Sequence, residues 1–507
     1  MAINWVSRSL ASCGIPRTGT NTQVAAAMER TLDLPRNPNE RSLLSTKDLD
    51  PEAAYLERYL YVPKTWVPLD GVRSVLTLVP ETMKGQGDAV LAYEELEHHI
   101  RVPRSYIKAD SFTESGKTVI DSRVKSFPHH EYKSKIKPRN SVQEEAMHIM
   151  ENSEGGILEL ACGKGKTVIA LETIARLKTW SIVVVNTTSL MNQWIGAAEK
   201  FLGYTPGIIQ QDKVEWKPLT IAMLQTLSAD RFQDAKELQN YGAVFFDEAH
   251  HLSAPTFNRA CPLFHGRRYG LTATRRRADG MEALYMHHLG PVLYTDLTMQ
   301  EEPKSFFVRT GLRMDAETKK SITRAGTVNN SLMQGVLAKT PWRNALILEL
   351  IEDLRAKGRK ILVLGHLVEH LSLLHNACPD SGLVVGAVKP DERARVIDAH
   401  DVIFGTTKLA AEGLDAPSLD TMIVITPFSS EALVQQALGR ISRTLDSKKS
   451  PEAYFIEDHV KSCTDMMVAV RHYLTDAGLD FQILDYPIHN RAVFKQIAEE
   501  IEEPLFF

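Results

Sequence analysis

Three stretches of this 507-residue chain carry residue types in an order that chemistry can use. The first is Gly163-Lys164-Gly165-Lys166-Thr167. Its glycines let backbone N–H groups curl around anionic oxygens, Lys166 adds a mobile positive charge, and Thr167 offers a hydroxyl to Mg²⁺. The second is Asp247-Glu248-Ala249-His250. A carboxylate at Asp247 can hold Mg²⁺, while Glu248 can orient and deprotonate an attacking water. The third, Gln436-Ala437-Leu438-Gly439-Arg440-Ile441-Ser442-Arg443, sets two arginines three residues apart. On one helical face, such planar cations can reach a γ-phosphate and stabilise charge in the transition state. Together these residues point to hydrolysis of a Mg²⁺-bound nucleoside triphosphate.

Such residues act only where the fold holds them, and the surrounding pattern supplies the elements. An apolar run over residues 156–160 stops at the first turn, and Val168, Leu171, Ile174 and Ala175 recur on one face after it, which predicts strand, loop and helix. The strictest phosphate-loop pattern would carry glycine at Leu160, but the later glycines form the phosphate-facing turn. Ser115-Gly116-Lys117-Thr118 repeats the tripeptide behind a polar run and is predicted to be a surface turn. Short apolar runs at 181–185, 220–223 and 243–246 alternate with helical patterns, the signature of a parallel sheet covered on both faces. Catalytic groups belong at the carboxyl ends of such strands, where Asp247 and Glu248 fall. A further run ends in Thr272-Ala273-Thr274, whose hydroxyls could relay the state of the γ-phosphate. Runs at 360–364, 402–404 and 421–425 predict a second sheet after a polar connector.

Composition bounds the class without choosing it. With 43% hydrophobic and 24% charged residues, the chain is ordinary for globular domains and long enough for about three. A net charge of -4 excludes a basic coat over the whole surface, so nucleic-acid binding must come from local patches. The five cysteines form no C-x-x-C pair, which indicates neither a zinc site nor a disulfide framework and suits a reducing cytoplasm. No run approaches the length of a membrane span.

The ends of the chain are less legible. Ala53, Leu56, Tyr59 and Leu60 behind Asp50-Pro51-Glu52 predict an amphipathic helix, and residues 74–79 predict a strand, within a small α/β module. Arg101, Arg104, Lys108, Lys133, Lys135, Lys137 and Arg139, interleaved with Tyr106 and Tyr132, could follow a phosphate backbone and stack on bases, or form a solvated linker face. At the other end, Leu505, Phe506 and Phe507 follow an acidic stretch. They are expected either to dock on the protein's own second lobe or to enter an apolar pocket on a partner.

The motif set resembles superfamily 2 helicases of the DEAH type. Residues 160–167 match motif I, 186–190 with Gln193-Trp194 motif Ia, Asp247 to His250 motif II, and Thr272 to Thr274 motif III. Arg275-Arg276-Arg277-Ala278-Asp279-Gly280 is similar to the run that follows motif III in the XPB and UvsW-like group, with Arg275 in place of proline. Residues 406–417 resemble motif V, and 436–443 match motif VI at every defined position. The resemblance covers about residues 136–475. It implies an α/β fold of two tandem RecA-like parallel-sheet motor domains, at 136–300 and 340–475, with a connector at 301–339. A small N-terminal α/β accessory domain at 1–135, with DNA binding as its candidate role, and a tail at 476–507 flank them. It implies ATP and Mg²⁺ as cofactors, with Gly413, Asp415 and the adenine-side Gln143 at the nucleotide, Gln436 with Arg440 and Arg443 in catalysis, and His250, Thr272 and Thr274 in coupling. It further implies movement on DNA, usually 3′ to 5′, with branched DNA as the preferred substrate and a double-stranded DNA translocase or RNA helicase as the alternative. The apolar chain end resembles sliding-clamp-binding peptides.

Overall fold

The computed structural model describes residues 49–485 apart from 83–84, 234, 274–278, 300, 325–326, 387, 389, 408–415, 417 and 444–447. Thr274, Gly413, Asp415 and the chain end at Leu505, Phe506 and Phe507 therefore lie outside the described residues. Two compact units divide between Leu297 and Thr298.

The first unit opens with a five-stranded sheet. Its strands are β1 (Ala53–Leu56), β2 (Tyr59–Pro63), β3 (Glu94–Glu95), β4 (His99–Pro103) and β5 (Thr118–Asp121), in the order β3-β4-β2-β1-β5. The helix expected at 53–60 is thus a hairpin, β1 pairing antiparallel with β2. Ala53, Tyr55, Tyr59 and Tyr61 pack into one cluster, while Leu60 and Val62 pack into another. Alternation of aromatic and β-branched residues suits a pleated surface, and that preference wins over the helical spacing. Of the strand expected at 74–79, residues 74–76 end helix α1 (Leu69–Leu76), which buries Val72 and Leu76 four residues apart, while Thr77 and Leu78 do form a short strand paired antiparallel with Val90 and Leu91. Ser115 and Gly116 do form a turn, with Gly116 at φ +74°, between a short helix and β5.

The expected basic stripe is corrected at Arg101 and Arg104, which are interior, while Lys108 is exposed. Arg101 is buried, ion-paired to Glu94 at 2.8 Å and stacked over Tyr59. Arg104 donates to the carbonyls of His265 and Gly266, each at 2.7 Å. Tyr106 lies edge-on to His287. Lys133, Lys135, Lys137 and Arg139 are exposed.

The larger sheet of this unit comprises β6 (Gly155–Leu160), β7 (Ser181–Val185), β8 (Gly207–Gln210), β9 (Lys213–Val214), β10 (Leu219–Met223), β11 (Ala243–Asp247), β12 (Arg267–Thr272) and β13 (Val292–Asp296). Their order is β9-β8-β10-β7-β11-β12-β6-β13, and only the β8–β9 pair is antiparallel. Successive side chains feed opposite faces: Ile182 and Val184 enter one core, Val183 and Val185 the other. Helices α2 (Ser141–Glu151), α3 (Lys166–Leu177) and α4 (Thr188–Leu202) supply apolar side chains to the second of these cores. Burial on both faces explains why the strands read as unbroken apolar runs.

The second unit holds seven parallel strands: β14 (Lys304–Arg309), β15 (Ile361–Gly365), β16 (Ser381–Val384), β17 (Val402–Thr406), β18 (Thr421–Val424), β19 (Glu452–Glu457) and β20 (Phe481–Asp485). Their order is β16-β17-β15-β18-β19-β14-β20. Two expectations change here. Residues 304–309, read as connector, form β14 between two other strands, and residues 481–485, read as tail, form the edge strand β20. Both are short apolar cores closed by charges, too brief to stand out by periodicity. No helix among the described residues is long and apolar enough to cross a membrane.

The two sheets of the first unit meet through buried polar groups. Arg268, fully buried on β12, donates to Arg58 O at 2.8 Å and to Phe264 O at 2.7 Å. His287, on the helix Glu282–Leu289, has no hydrogen-bond partner at either ring nitrogen among the described residues. Burial pushes the His287 imidazole down to about 4. Burial, reinforced by Arg58 and Arg268, pushes His265 to about 3. His288 is pushed well below the ordinary histidine value by burial and Arg268. Above pH ~6.5 the imidazoles are neutral in both folded and unfolded chains; below it only the unfolded chain takes up these protons. Each therefore removes up to about 1.4 kcal/mol of stability per pH unit on the way down from pH ~6.5 towards 5. Calorimetry across that window should show Tm falling as pH falls, with a shallower slope in His287→Phe.

Candidate nucleotide-hydrolysis site

The phosphate loop is built before any ligand arrives. It leaves β6 at Leu160 and enters α3 at Lys166, passing through Gly163 at φ +85° and Gly165 at φ +89°. Gly165 has a second reason to be glycine: a Cβ there would stand 2.5 Å from Gln143 Nε2. Gln143 is itself fixed at the start of α2, where Asn140 caps the helix by accepting from Gln143 N at 3.0 Å. Its Nε2 donates to Lys164 O and its Oε1 accepts from Arg139 N, both at 2.9 Å. Lys166 Nζ donates back to Leu160 O at 3.0 Å, which curls its ammonium over the loop. Thr167 follows it in the first turn of α3.

Two strands away, β11 ends on Asp247. The next residue, Glu248, takes φ +48°, a left-handed conformation that is strained for a non-glycine residue. That twist lets Glu248 N donate to Asp247 Oδ1 at 3.0 Å. Trp194, buried on α4, donates its indole N–H to Asp247 Oδ2 at 2.7 Å. Withdrawal from water, then the adjacent Glu248 charge, push the Asp247 carboxyl up to about 6, against the pull of Trp194 and Lys166. A crowded, oxygen-only pair of this kind suits a hard cation such as Mg²⁺. His250 joins this pair to the neighbouring strand: its Nδ1 lies 3.4 Å from Glu248 Oε2 and 3.4 Å from Thr272 Oγ1 at the end of β12.

The first unit therefore gathers Gln143, Gly163, Lys164, Gly165, Lys166, Thr167, Asp247, Glu248, His250 and Thr272 at the carboxyl ends of β6, β11 and β12. In the second unit, Gln436 and Arg440 lie on helix α5 (Glu431–Ile441), with Gln436 buried. The two arginines do not share a helical face as expected. The helix ends at Ile441 with Ser442 as its cap, so Arg443 follows outside the helix, its carbonyl accepting from Lys448 Nζ at 2.7 Å. Two residues escaped sequence reasoning as contributors. Trp194 was visible only as part of a motif, and Asp296, at the end of β13, meets Lys164 at 2.9 Å.

This arrangement, a glycine phosphate loop and an acid pair on one parallel sheet, defines a nucleotide hydrolase. Residues 131–277 match the family described as Type III restriction enzyme, res subunit, and residues 342–444 match the Helicase conserved C-terminal domain. A protein of Acanthamoeba polyphaga mimivirus, whose name proposes an ATP-dependent RNA helicase, is 27% identical over 73% of this chain and 74% of its own. The DNA 3'-5' translocase XPB2 of Sulfurisphaera tokodaii is 26% identical over 76% of this chain and 94% of its own. Among solved structures, a variant of S. cerevisiae Dbp5 bound to RNA and ADP BeF3 aligns with TM-score 0.50 at 15% identity, covering 71% of this chain and 93% of that one. The shared fold is that of two tandem RecA-like domains. The chain is similar to the XPB-like superfamily 2 helicases, and it is an ATP-dependent enzyme acting on nucleic acid.

Proposed function

We propose that the chain uses Mg²⁺-ATP to move 3′ to 5′ on DNA and to remodel branched DNA, by branch migration, fork reversal or removal of R-loops. The observation that carries the ATP-driven part is the run of contacts from Asp247 through Glu248 to His250 and Thr272, with the Lys166 charge acting on Asp247, which ties groups suited to the γ-phosphate to the neighbouring strand. The choice of DNA is favoured by the archaeal relative, which is named a DNA 3'-5' translocase. In this reading Lys166 neutralises phosphate charge, Thr167 and Asp247 hold Mg²⁺, and Glu248 takes the proton of the attacking water. Gln143 keeps the loop shaped on its adenine side, Gly413 and Asp415 complete the nucleotide contacts, and Gln436, Arg440 and Arg443 act at the γ-phosphate. Contacts that exist only while the γ-phosphate is present then shift the populations of two conformations, and alternation between them ratchets a strand. His250, Thr272 and Thr274 pass the nucleotide state onward. The apolar end at Leu505, Phe506 and Phe507 is assigned either to the protein's own second lobe or to a replication clamp.

A second reading, an RNA helicase, is favoured by the name of the mimiviral relative. ATPase rates measured with single-stranded DNA, duplex DNA, forked DNA and RNA of equal length separate the two. Greatest stimulation by forked DNA, with regression of a homologous fork, supports branched-DNA remodelling. Stimulation by RNA alone overturns it.

A further inference from the structure

We infer that Asp296 is a positioning residue for the phosphate loop, and that Lys164 serves as the tether it holds instead of as a phosphate ligand. The inference rests on the reading of residues 163–167 as a phosphate cradle. Lys164 stands between two glycines at positive φ, so the loop has little stiffness of its own and must be fixed from outside. Asp296 fixes it twice. Its carbonyl accepts from Ala161 N at 2.9 Å, where the loop begins, and its Oδ2 pairs with Lys164 Nζ at 2.9 Å, near the middle. On the opposite side Gln143 Nε2 holds the Lys164 carbonyl at 2.9 Å.

Shelter separates this pair from an ordinary surface ion pair. The two side chains are only 14% and 12% exposed, so water screens them little and the ammonium is committed to its carboxylate. To serve a phosphate, Lys164 would have to give up its sheltered 2.9 Å pairing with Asp296. Lys166 carries no such commitment in the described residues, since its ammonium rests on the Leu160 carbonyl, a neutral acceptor. The two lysines thus divide the work, one shaping the cradle and one charging it.

The placement of Asp296 follows from the sheet. β13 is the edge strand beside β6, in parallel register with Leu160 opposite Asp296, so its last residue must come alongside the loop. A loop ordered in advance loses less freedom on binding, which strengthens nucleotide affinity more than it speeds the chemical step.

The test uses the full chain, with ATP titrated at saturating nucleic acid and binding of a fluorescent ATP analogue measured alongside. Asp296→Ala and Lys164→Ala should each raise KM and the analogue's Kd about tenfold while kcat falls less than threefold. The double variant should be no worse than either single one, and Asp296→Asn, which keeps an acceptor, should recover part of the loss. Thermal melting of each variant without nucleotide shows that the fold persists. Additive losses in the double variant, or weakened binding in Lys164→Ala with none in Asp296→Ala, would overturn the inference by making Lys164 a direct phosphate ligand. Lys166→Ala distinguishes the two levels of the argument. If it binds and hydrolyses normally, the cradle itself is misread; if it is inactive while the Asp296 variants behave as wild type, only the tether fails.

Discussion

Lys166→Ala is expected to abolish nucleic-acid-stimulated ATP turnover and to weaken nucleotide binding, whereas Glu248→Gln should bind ATP and fail to hydrolyse it. The difference comes from what each group does. Lys166 Nζ rests on Leu160 O at 3.0 Å, and in the proposed reading it is the charge that meets the phosphate tail in ground and transition states alike. Glu248 is needed only when water is deprotonated, and glutamine preserves its shape while losing its basicity. A fall in kcat of about 10³ or more is expected for Glu248→Gln, with analogue Kd within a few-fold of wild type. Turnover near the normal rate in Glu248→Gln would remove that residue from the catalytic role and leave the acid pair as a cation site alone.

Arg443→Ala should lower kcat by about 10³ while leaving ATP affinity within a few-fold, because a cation placed against the leaving and transferring oxygens acts on the transition state more than on bound substrate. The position of Arg443 just past the end of α5 bears on this expectation. A residue past the helix cap need not aim its side chain as the last helical turn does, where Arg440 sits. Exchange of Arg440 and Arg443 effects is therefore not expected. Steady-state kinetics at several ATP concentrations check the point: a loss confined to KM would make Arg443 a binding residue.

How much of this was legible in the chain depends on the distance between partners. Lys166, Thr167, Asp247 and Glu248 announce themselves because each sits in a local pattern of strand, turn and small residues. His250 and Thr272 needed only two such patterns to fall on neighbouring strands. Trp194 is 53 residues from the carboxylate it holds, and nothing in its own neighbourhood says that its indole N–H points at Asp247. Asp296 is harder still, since its partner is fixed only once β13 is known to flank β6. The fold shows the same rule. Long apolar runs at β6, β7 and β11 were readable, whereas β14 and β20 are strands because of their neighbours more than their residues. At 53–60 the spacing of Ala53, Leu56, Tyr59 and Leu60 satisfies a helix, but burial of both sides of a hairpin decided the outcome. Arg101 and Arg104 misled for the opposite reason: arginine in sequence reads as surface, and only the packed structure supplies the acceptors that let it go inside.

The fully buried Arg268 bears on modularity. Its guanidinium is shared between Phe264, just before β12, and Arg58 in the N-terminal hairpin, and Arg104 donates in turn to the carbonyls of His265 and Gly266. A cassette swapped in or cut out near residue 135 would leave these cations and carbonyls facing solvent across a torn seam. The N-terminal sheet and the larger sheet of the first unit are thus stitched together through shared buried donors and acceptors.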